Sequence, residues 1–502
     1  MRNPRILSFY ILFLILTLNL ITQIISSSNC ESEIKANSNS SDSWERIINP
    51  VSNIYFPNMK VLNESIYFAG QMEINYDYAI YTARYNRSGE KLWENIWDTS
   101  YEDELRGFEF DSEQNLYVLC VADPNSPGDI LEKIHLLKYS DSGELLWAKI
   151  LIESRNCVAY SIKLDSNDFI YVAGCIWNSS VFYNFLLKLD SSGNILWSQQ
   201  LDWEVFQLTI DLDNNVYVSG CKYPKFYLCK YNSSGSKLWS LDLGEIYCVS
   251  SMKFDSLGNI ILKGITYNET TRSDILWFMK YSNSGSYINK LEVANISSGY
   301  FFICNYWFIS DNAYVFTNYP DSPNYFLLKY NSTFQLCWNV SLNGYYVTPY
   351  YYYLNTANVI GIDSQDNILF FYNNPRADST SEVSTETYDS EDISILKLNS
   401  SGKVLAHYYW GGPYHDEPIQ VVMDPQDNIY LLCACRYVDI WHVVRDPLVL
   451  VKNPEINGGP PQLKLIYMYD YYIFSLMGVM SVFSLFLLIS IIRPRRGYRK
   501  KN

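Results

Sequence analysis

The fold predicted for this 502-residue chain is all-β, an eight-bladed β-propeller over residues 44–454, set between an N-terminal export signal and one C-terminal transmembrane helix. Three observations predict it. Two short motifs alternate along the chain with a period of about 52 residues, within the range that signals repeat architectures. The last repeat lacks one strand, and the segment just before the first repeat supplies it. The composition, with 13 Trp, 45 Tyr and 24 Phe and 48% hydrophobic against 18% charged residues, favours strands and excludes a disordered chain.

In chain order, residues 6–25 are almost entirely apolar, follow Arg2 and Arg5, and precede Ser26, Ser27 and Ser28, the layout of a secretory signal within 1–29. An uncleaved anchor is the alternative, since the apolar run is long for a signal. Either one sends the chain from residue 30 onward outside. Asn29 stands where a lipidation motif needs a small residue, so Cys30 reads as a plain extracytoplasmic cysteine, and 30–43 as a Ser/Asn-rich linker.

The first repeated motif is Asp-x-x-x-Asn followed by Ile-Tyr-Val. It stands at 111–118, 211–218 and 424–431 and, with departures, at 65–68, 165–172, 255–262, 311–315 and 363–370. The second is an apolar stretch, Lys, an apolar residue, a Ser-Gly turn and Leu-Trp, as in Leu137-Lys138-Tyr139, Ser142-Gly143 and Leu146-Trp147. Its other copies end at Trp93, Trp197, Trp239 and Trp338, with Asn289 and Ala406 in the Trp position of two weaker ones. One unit then reads as strands A (159–164), B (169–174), C (185–189) and D (195–201), joined by Asp/Asn/Ser/Gly turns at 165–168 and 190–193. The Asp residues at 111, 165, 211, 255, 363 and 424 are read as turn formers rather than a series of metal ligands.

The final copy, 448–452, stops before any Leu-Trp strand, whereas 43–47 fits that strand with no partner before it. Pairing the two closes the ring and removes exposed strand edges. The fixed place of Trp44, Trp93, Trp147, Trp197, Trp239 and Trp338 on the outer strand predicts docking between neighbouring blades.

These motifs resemble the SBBP-type β-propeller repeat of microbial surface proteins, over residues 44 to about 454. That family is nominally seven-bladed, so the resemblance leaves seven open against the count of eight. The Ser-Gly-x-x-Leu-Trp half also resembles the tryptophan-docking repeat of quinoprotein dehydrogenases, which are eight-bladed. That likeness implies an alternative, a membrane-anchored oxidoreductase with a pyrroloquinoline quinone in its central pocket. Against it, the chain lacks the adjacent Cys-Cys pair such enzymes often carry and has no nameable calcium-ligating cluster. No cofactor and no metal are expected.

The A–B and C–D turns are short and repetitive, while the B–C and D–A connections on the opposite face vary, and function resides more often on variable loops. The chain enters and leaves on the short-turn face, which is expected to look at the membrane. The variable face then points outward, with 97–105, 202–204, 345–353, the acidic 376–392 and 410–417 on it. Trp97, Tyr101, Trp203, Tyr350, Tyr352, Trp410, Tyr414, His415 and Asp416 are the candidate contacts, since rings beside carboxylates suit a glycan or peptide. The alternative is that these rings seal blade ends.

Residues 455–470 form a juxtamembrane linker. Residues 471–492 contain no charged side chain, are long enough to span a bilayer, and precede a tail, 493–502, with Arg493, Arg495, Arg496, Arg499, Lys500 and Lys501. The predicted location is the plasma membrane, single-pass, propeller outside. The formal charge is −15; the two ends hold eight of the 38 cations and none of the 53 acids, leaving −23 on 30–470. Such a surface disfavours nucleic acid.

Eleven cysteines permit disulfides, with Cys175–Cys221 and Cys221–Cys229 as guesses only. Sequons stand at Asn39, Asn63, Asn86, Asn178, Asn232, Asn268, Asn295, Asn331, Asn339 and Asn399. No catalytic motif is present, and His135, His407, His415 and His442 are not paired in any site-building spacing. The function expected is non-catalytic binding of an extracellular protein or glycan, with a purely structural envelope role as a further alternative.

Overall fold

A computed structural model describes residues 43–48, 54–74, 77–99, 102–123, 131–178, 181–244, 248–268, 273–297, 305–309, 311–318, 325–342, 358–375, 391–410, 415–438, 444–445 and 448–453. They form eight antiparallel sheets, one per blade. Strands A to D are Ile54–Leu62, Ser65–Ile74, Asp77–Asn86 and Lys91–Trp97 in blade 1, and Glu102–Phe110, Leu116–Asp123, Glu132–Tyr139 and Leu145–Ser154 in blade 2. Blade 3 has Cys157–Leu164, Ile170–Asn178, Val181–Leu189 and Ile195–Leu201; blade 4 has Glu204–Ile210, Val216–Lys222, Lys225–Tyr231 and Lys237–Gly244. Blade 5 comprises Cys248–Phe254, Ile260–Asn268, Ser273–Tyr281 and Tyr287–Ser297, and blade 6 Asn305–Ile309, Asn312–Asn318, Tyr325–Tyr330 and Leu336–Ser341. Blade 7 comprises Asn358–Ile362, Ile368–Pro375, Glu391–Leu398 and Val404–Trp410. Blade 8 runs His415–Met423, Ile429–Val438, Leu448–Lys452 and then Trp44–Ile48, with Val444–Arg445 as an added pairing on its strand B. The blade number is eight, and the N-terminal strand closes the last blade.

Burial follows position in the blade. Strand B lies between neighbouring blades and is covered on both faces, so it is a continuous apolar run: Leu116 to Ala122 are all buried. Strand D is peripheral and alternates, as in Lys91–Trp97.

Blades 2, 3 and 4 repeat one four-part cluster, and parts of it recur in the other blades. The Asp of the A–B turn accepts backbone N–H groups through Oδ1, as Asp111 does from Glu113 (3.1 Å) and Asn115 (2.8 Å). Its Oδ2 meets a strand-C lysine: Lys138–Asp111 3.1 Å, Lys230–Asp211 3.0 Å, Lys280–Asp255 2.9 Å and Lys397–Asp363 3.0 Å. The lysine lies over a strand-B tyrosine, at 4.8 Å for Tyr117 and 4.9 Å for Tyr217. That tyrosine meets the strand-D tryptophan edge-on, as in Tyr117–Trp147 and Tyr217–Trp239. Burial alone would raise the Asp255 carboxyl; hydrogen bonds from Asn259 and Lys280 outweigh it and hold the pKa below its usual value.

The tryptophan then docks on the next blade. Trp93 Nε1 donates to Asp141 O (3.0 Å), Trp197 to Ser233 O (3.3 Å), Trp239 to Asn283 O (3.2 Å) and Trp338 to Ser400 O (3.0 Å). Under each ring sits a C–D turn glycine with positive φ. A Cβ on Gly143 would stand 2.6 Å from Trp93 Cγ, so glycine meets a backbone and a packing need at once. The A–B turns add a second latch, in which Ser112 donates to Asp168 (2.8 and 2.6 Å), Ser166 to Asn214 (3.1 and 3.0 Å) and Ser364 to Asp427 (2.7 and 2.5 Å). Ser256 reaches Asp311 in the same way.

The seam between blades 8 and 1 uses the same logic. Arg46, two residues after Trp44, donates to Gly89 O (2.8 Å), as Asn95 after Trp93 donates to Gly143 O (2.9 Å). At the inner strands the Gln420 amide exchanges two 2.8 Å hydrogen bonds with the Met59 backbone.

The blade 5–6 junction departs from the pattern and shows why it exists. Asn289 occupies the tryptophan position and donates to Thr333 O (3.1 Å), while Phe334 stands at the glycine position with φ 62° and is buried. The large group has moved to the other side of the contact. Asn289→Trp should therefore clash with Phe334, and Phe334→Gly should leave a cavity; each single change is expected to cost about 2–4 kcal/mol and the pair to recover more than about 1 kcal/mol of the sum. Urea unfolding of the four-member cycle measures this, and strict additivity would overturn the size-exchange account.

Candidate functional site

Strand A of each blade borders the central channel, and its register places one residue of every blade at the same level, directly opposite the strand-B cluster position. The eight are Lys60, Glu109, Lys163, Thr209, Lys253, Trp307, Gly361 and Val422. Strand A carries a register shift in blades 1–5 and 8, for example between Val249 and Ser251, which re-aims side chains beside the channel. Blades 6 and 7 have straight strands of only five residues there.

Against those short strands lies a cavity of about 430 Å³ bordered by the inner strands of blades 5 to 8. Lys253, Lys263, Ser251 and Gln420 supply its polar side; Trp307, Ile309, Ile360 and Ile419 are among its apolar walls. On the other side of the ring Lys60 donates to Glu109 (2.7 Å) and Phe108 O (2.6 Å), and Lys163 also bonds Glu109. Burial lowers the pKa of Lys60 despite Glu109, and burial lowers that of Lys253.

The residues singled out from sequence fall elsewhere. Trp97 ends strand D of blade 1, with its ring edge-on to His135 at 4.8 Å. Trp203 and Trp410 are buried in the apolar clusters of blades 3–4 and 7–8, and Asp416 is fully buried. These three side chains face the interior, because the D–A connections are shorter than the sequence suggested: 102–105, 204 and 415–417 already belong to strand A. His415 begins strand A of blade 8. Tyr101, Tyr350, Tyr352 and Tyr414 lie outside the described residues, as do 376–390, the export signal, the 471–492 segment and its tail. Among the described residues no helix is long and apolar enough to cross a membrane, and no group of acidic, His or Cys side chains could hold a metal ion.

Neither guessed disulfide is formed. Cys175 Sγ lies beside Tyr160 OH (3.2 Å) and Cys229 Sγ beside Ser240 Oγ (3.1 Å). Of the sequons, Asn86, Asn232, Asn331 and Asn399 head C–D turns, their Oδ1 atoms each accepting two backbone N–H groups. Asn63 and Asn339 are exposed. Asn178, Asn268 and Asn295 lie on strands, and Asn39 outside the described residues.

The channel ring is assembled from one residue in each of eight strands and has no contiguous motif. Its signal is the position two before the turn Asp: Glu109 before Asp111, Lys163 before Asp165, Thr209 before Asp211, Lys253 before Asp255.

No family model matches this chain. No curated protein matches it either. Among solved structures it is similar to a Bacteroides caccae protein of unknown function at 13% identity, over 52% of this chain and 89% of that one, with a TM-score of 0.31. It is also similar to the β-propeller domain of the trilobed protease from Pyrococcus furiosus, at 9% identity over 72% and 97% of the two chains (TM-score 0.38). A eukaryotic initiation factor is similar at 10% identity over 77% and 87% (TM-score 0.44).

Beside the Trp97–His135 contact two groups titrate abnormally. Burial pushes the Asp103 carboxyl up to about 7, against hydrogen bonds from Thr99 N (2.9 Å) and Oγ1 (2.7 Å), with Asp98 and Asp77 adding to the rise. Burial pushes His135 down to about 4, helped by Lys133. A raised carboxyl contributes stability below its unfolded pKa of about 3.9 and loses it as pH rises through 7; a lowered His loses its contribution as pH falls through 4. The two oppose each other between about pH 4 and 6.5, and above pH 7 the Asp103 penalty stands alone. Asp103→Asn should therefore raise the melting temperature at pH 8, by an amount that shrinks toward zero near pH 4; a pH-independent difference would contradict the assignment.

Proposed function

We propose that the chain is a single-pass cell-surface protein whose propeller stands outside the cell and binds a protein or glycan without catalysing a reaction. The observation that carries this reading is the unequal use of the two faces. Carbonyls and side chains of the A–B and C–D turns are taken up by blade-to-blade latches, from Ser112–Asp168 to Trp338–Ser400, so the turn face is committed to holding the ring. In sequence the B–C and D–A connections differ in length and composition from blade to blade, and binding residues collect on variable loops of a rigid scaffold.

Support for the location comes from the sequence: the apolar segment before Ser26, the uncharged 471–492 stretch and the cationic tail behind it. The resemblance to the SBBP-type repeat of microbial surface proteins points the same way. Trp97 and the aromatic-acidic segments around Tyr101, Tyr350, Tyr352 and Tyr414 are the contacts proposed, with neutral or cationic partners favoured by the −23 carried on 30–470.

Protease treatment of intact cells is expected to release a soluble fragment spanning the eight blades and leave a short C-terminal stub with the cells. Protection of the blades, or recovery of the tail outside, would overturn the topology. Binding captured by the released fragment should weaken as ionic strength rises.

A further inference from the structure

The chain is acidic, with 53 Asp+Glu against 38 Lys+Arg, yet the eight-residue channel level holds three lysines and one glutamate, and Lys263 joins Lys253 at the cavity. Two of these cations are accounted for, since Lys60 and Lys163 converge on Glu109. Lys253 is different. Its ring neighbours are Thr209 and Trp307, neither an anion, and it forms no hydrogen bond or ion pair with any described residue. The side chain is exposed and borders the cavity, with partial desolvation lowering its pKa. A cation bordering an apolar wall can pair with an anion whose body covers that wall.

The rest of the lining says what kind of anion. A bare inorganic ion would leave the wall of Trp307, Ile309, Ile360 and Ile419 facing water. A sugar would need neutral hydrogen-bonding groups, and the Gln420 amide is already used twice on the Met59 backbone, leaving Ser251. A polyanion would have no further cations to meet on the apolar side. We infer that this cavity binds a small organic monoanion, a carboxylate attached to an apolar body, with its charge at Lys253 and Lys263 and its body against Trp307, Ile360 and Ile419. At about 430 Å³ the space lies in the range of small-molecule sites. The site is separate from the proposed outer-face binding of a protein or glycan and does not depend on the membrane topology.

Titration of the full chain with benzoate, its neutral isostere benzamide, acetate and inorganic phosphate, read by ligand-observed NMR, tests this. Benzoate is expected to bind at least about tenfold tighter than each of the other three, and Lys253→Met to remove that advantage while leaving benzamide unchanged. On the unaltered chain, benzoate and not benzamide should slow chemical acylation of Lys253, read by mass spectrometry, with exposed Lys237 labelled at a constant rate. Equal affinity for benzoate and benzamide, phosphate binding as tightly as benzoate, an unaffected Lys253→Met variant, or acylation of Lys253 indifferent to benzoate would each overturn the inference. Such results would leave outer-face binding untouched, because that reading is tested by protein or glycan capture on the released propeller.

Discussion

Five of the blade junctions depend on one contact, an indole laid over a glycine in the next blade, and the rest of the ring is spaced to match. A four-stranded blade is apolar on both faces and cannot bury them alone; it needs a neighbour on each side at a fixed distance. The Trp93–Gly143 approach sets that distance at the ring's periphery, where a single Cβ would intrude to 2.6 Å. The hydrogen bond from the indole to the turn carbonyl fixes its orientation as well, so the contact specifies both spacing and rotation. Behind the indole, tyrosine, lysine and aspartate hold it from below. The Asp–Lys pairs are buried, and isolated buried pairs are weak sources of stability. Here the carboxylate also accepts turn N–H groups, and Lys280 and Lys188 reach onward to Ser332 O at 2.7 Å and Ser233 O at 2.9 Å, so those ion pairs tie a turn to the adjacent blade.

This constraint divides the molecule by function. Residues that face the next blade at the turn end are committed to geometry and cannot vary without a partner changing, as the Asn289–Phe334 exchange illustrates. Freedom is left in two places, the connections at the opposite end and the inner strand bordering the channel. The inner strand is the less obvious of the two, since its side chains sit on a rigid element. Rigid elements position binding groups more closely than loops do, and the short unbulged strands of blades 6 and 7 open room in front of them.

The architecture was legible in the sequence because the docking contact has a written form. Glycine followed by Leu-Trp, and Asp four residues before Asn, recur because each repeat must satisfy the same backbone φ, the same N–H groups and the same neighbour. Closure was legible for a related reason: the strand at 44–48 matches the half-repeat missing after Lys452. What sequence reading missed has physical causes too. Lys138 and its equivalents sit inside an apolar motif, and only the fold reveals that their ammonium groups return to the turn Asp. Trp203, Trp410 and Asp416 were assigned to a surface because aromatic-acidic segments resemble binding loops, yet strand A begins sooner than the polar residues suggest, and a carboxylate such as Asp103 or Asp416 is carried into the interior with it. The channel level is illegible as a motif, since it is assembled from one residue in each of eight strands.

Charge separates these levels further. The segment from 30 to 470 is strongly acidic, and a charge at its surface acts over about 8 Å, the Debye length in physiological salt. Lys60, Lys163, Lys253 and Lys263 are the opposite sign, gathered where eight strands converge and where the surrounding protein limits screening by solvent. An evenly acidic protein would have placed acids around the channel as well, and Glu109 stands alone among the eight channel positions of the described strands. The ring that builds the scaffold thus gathers cationic side chains at its centre within an acidic chain.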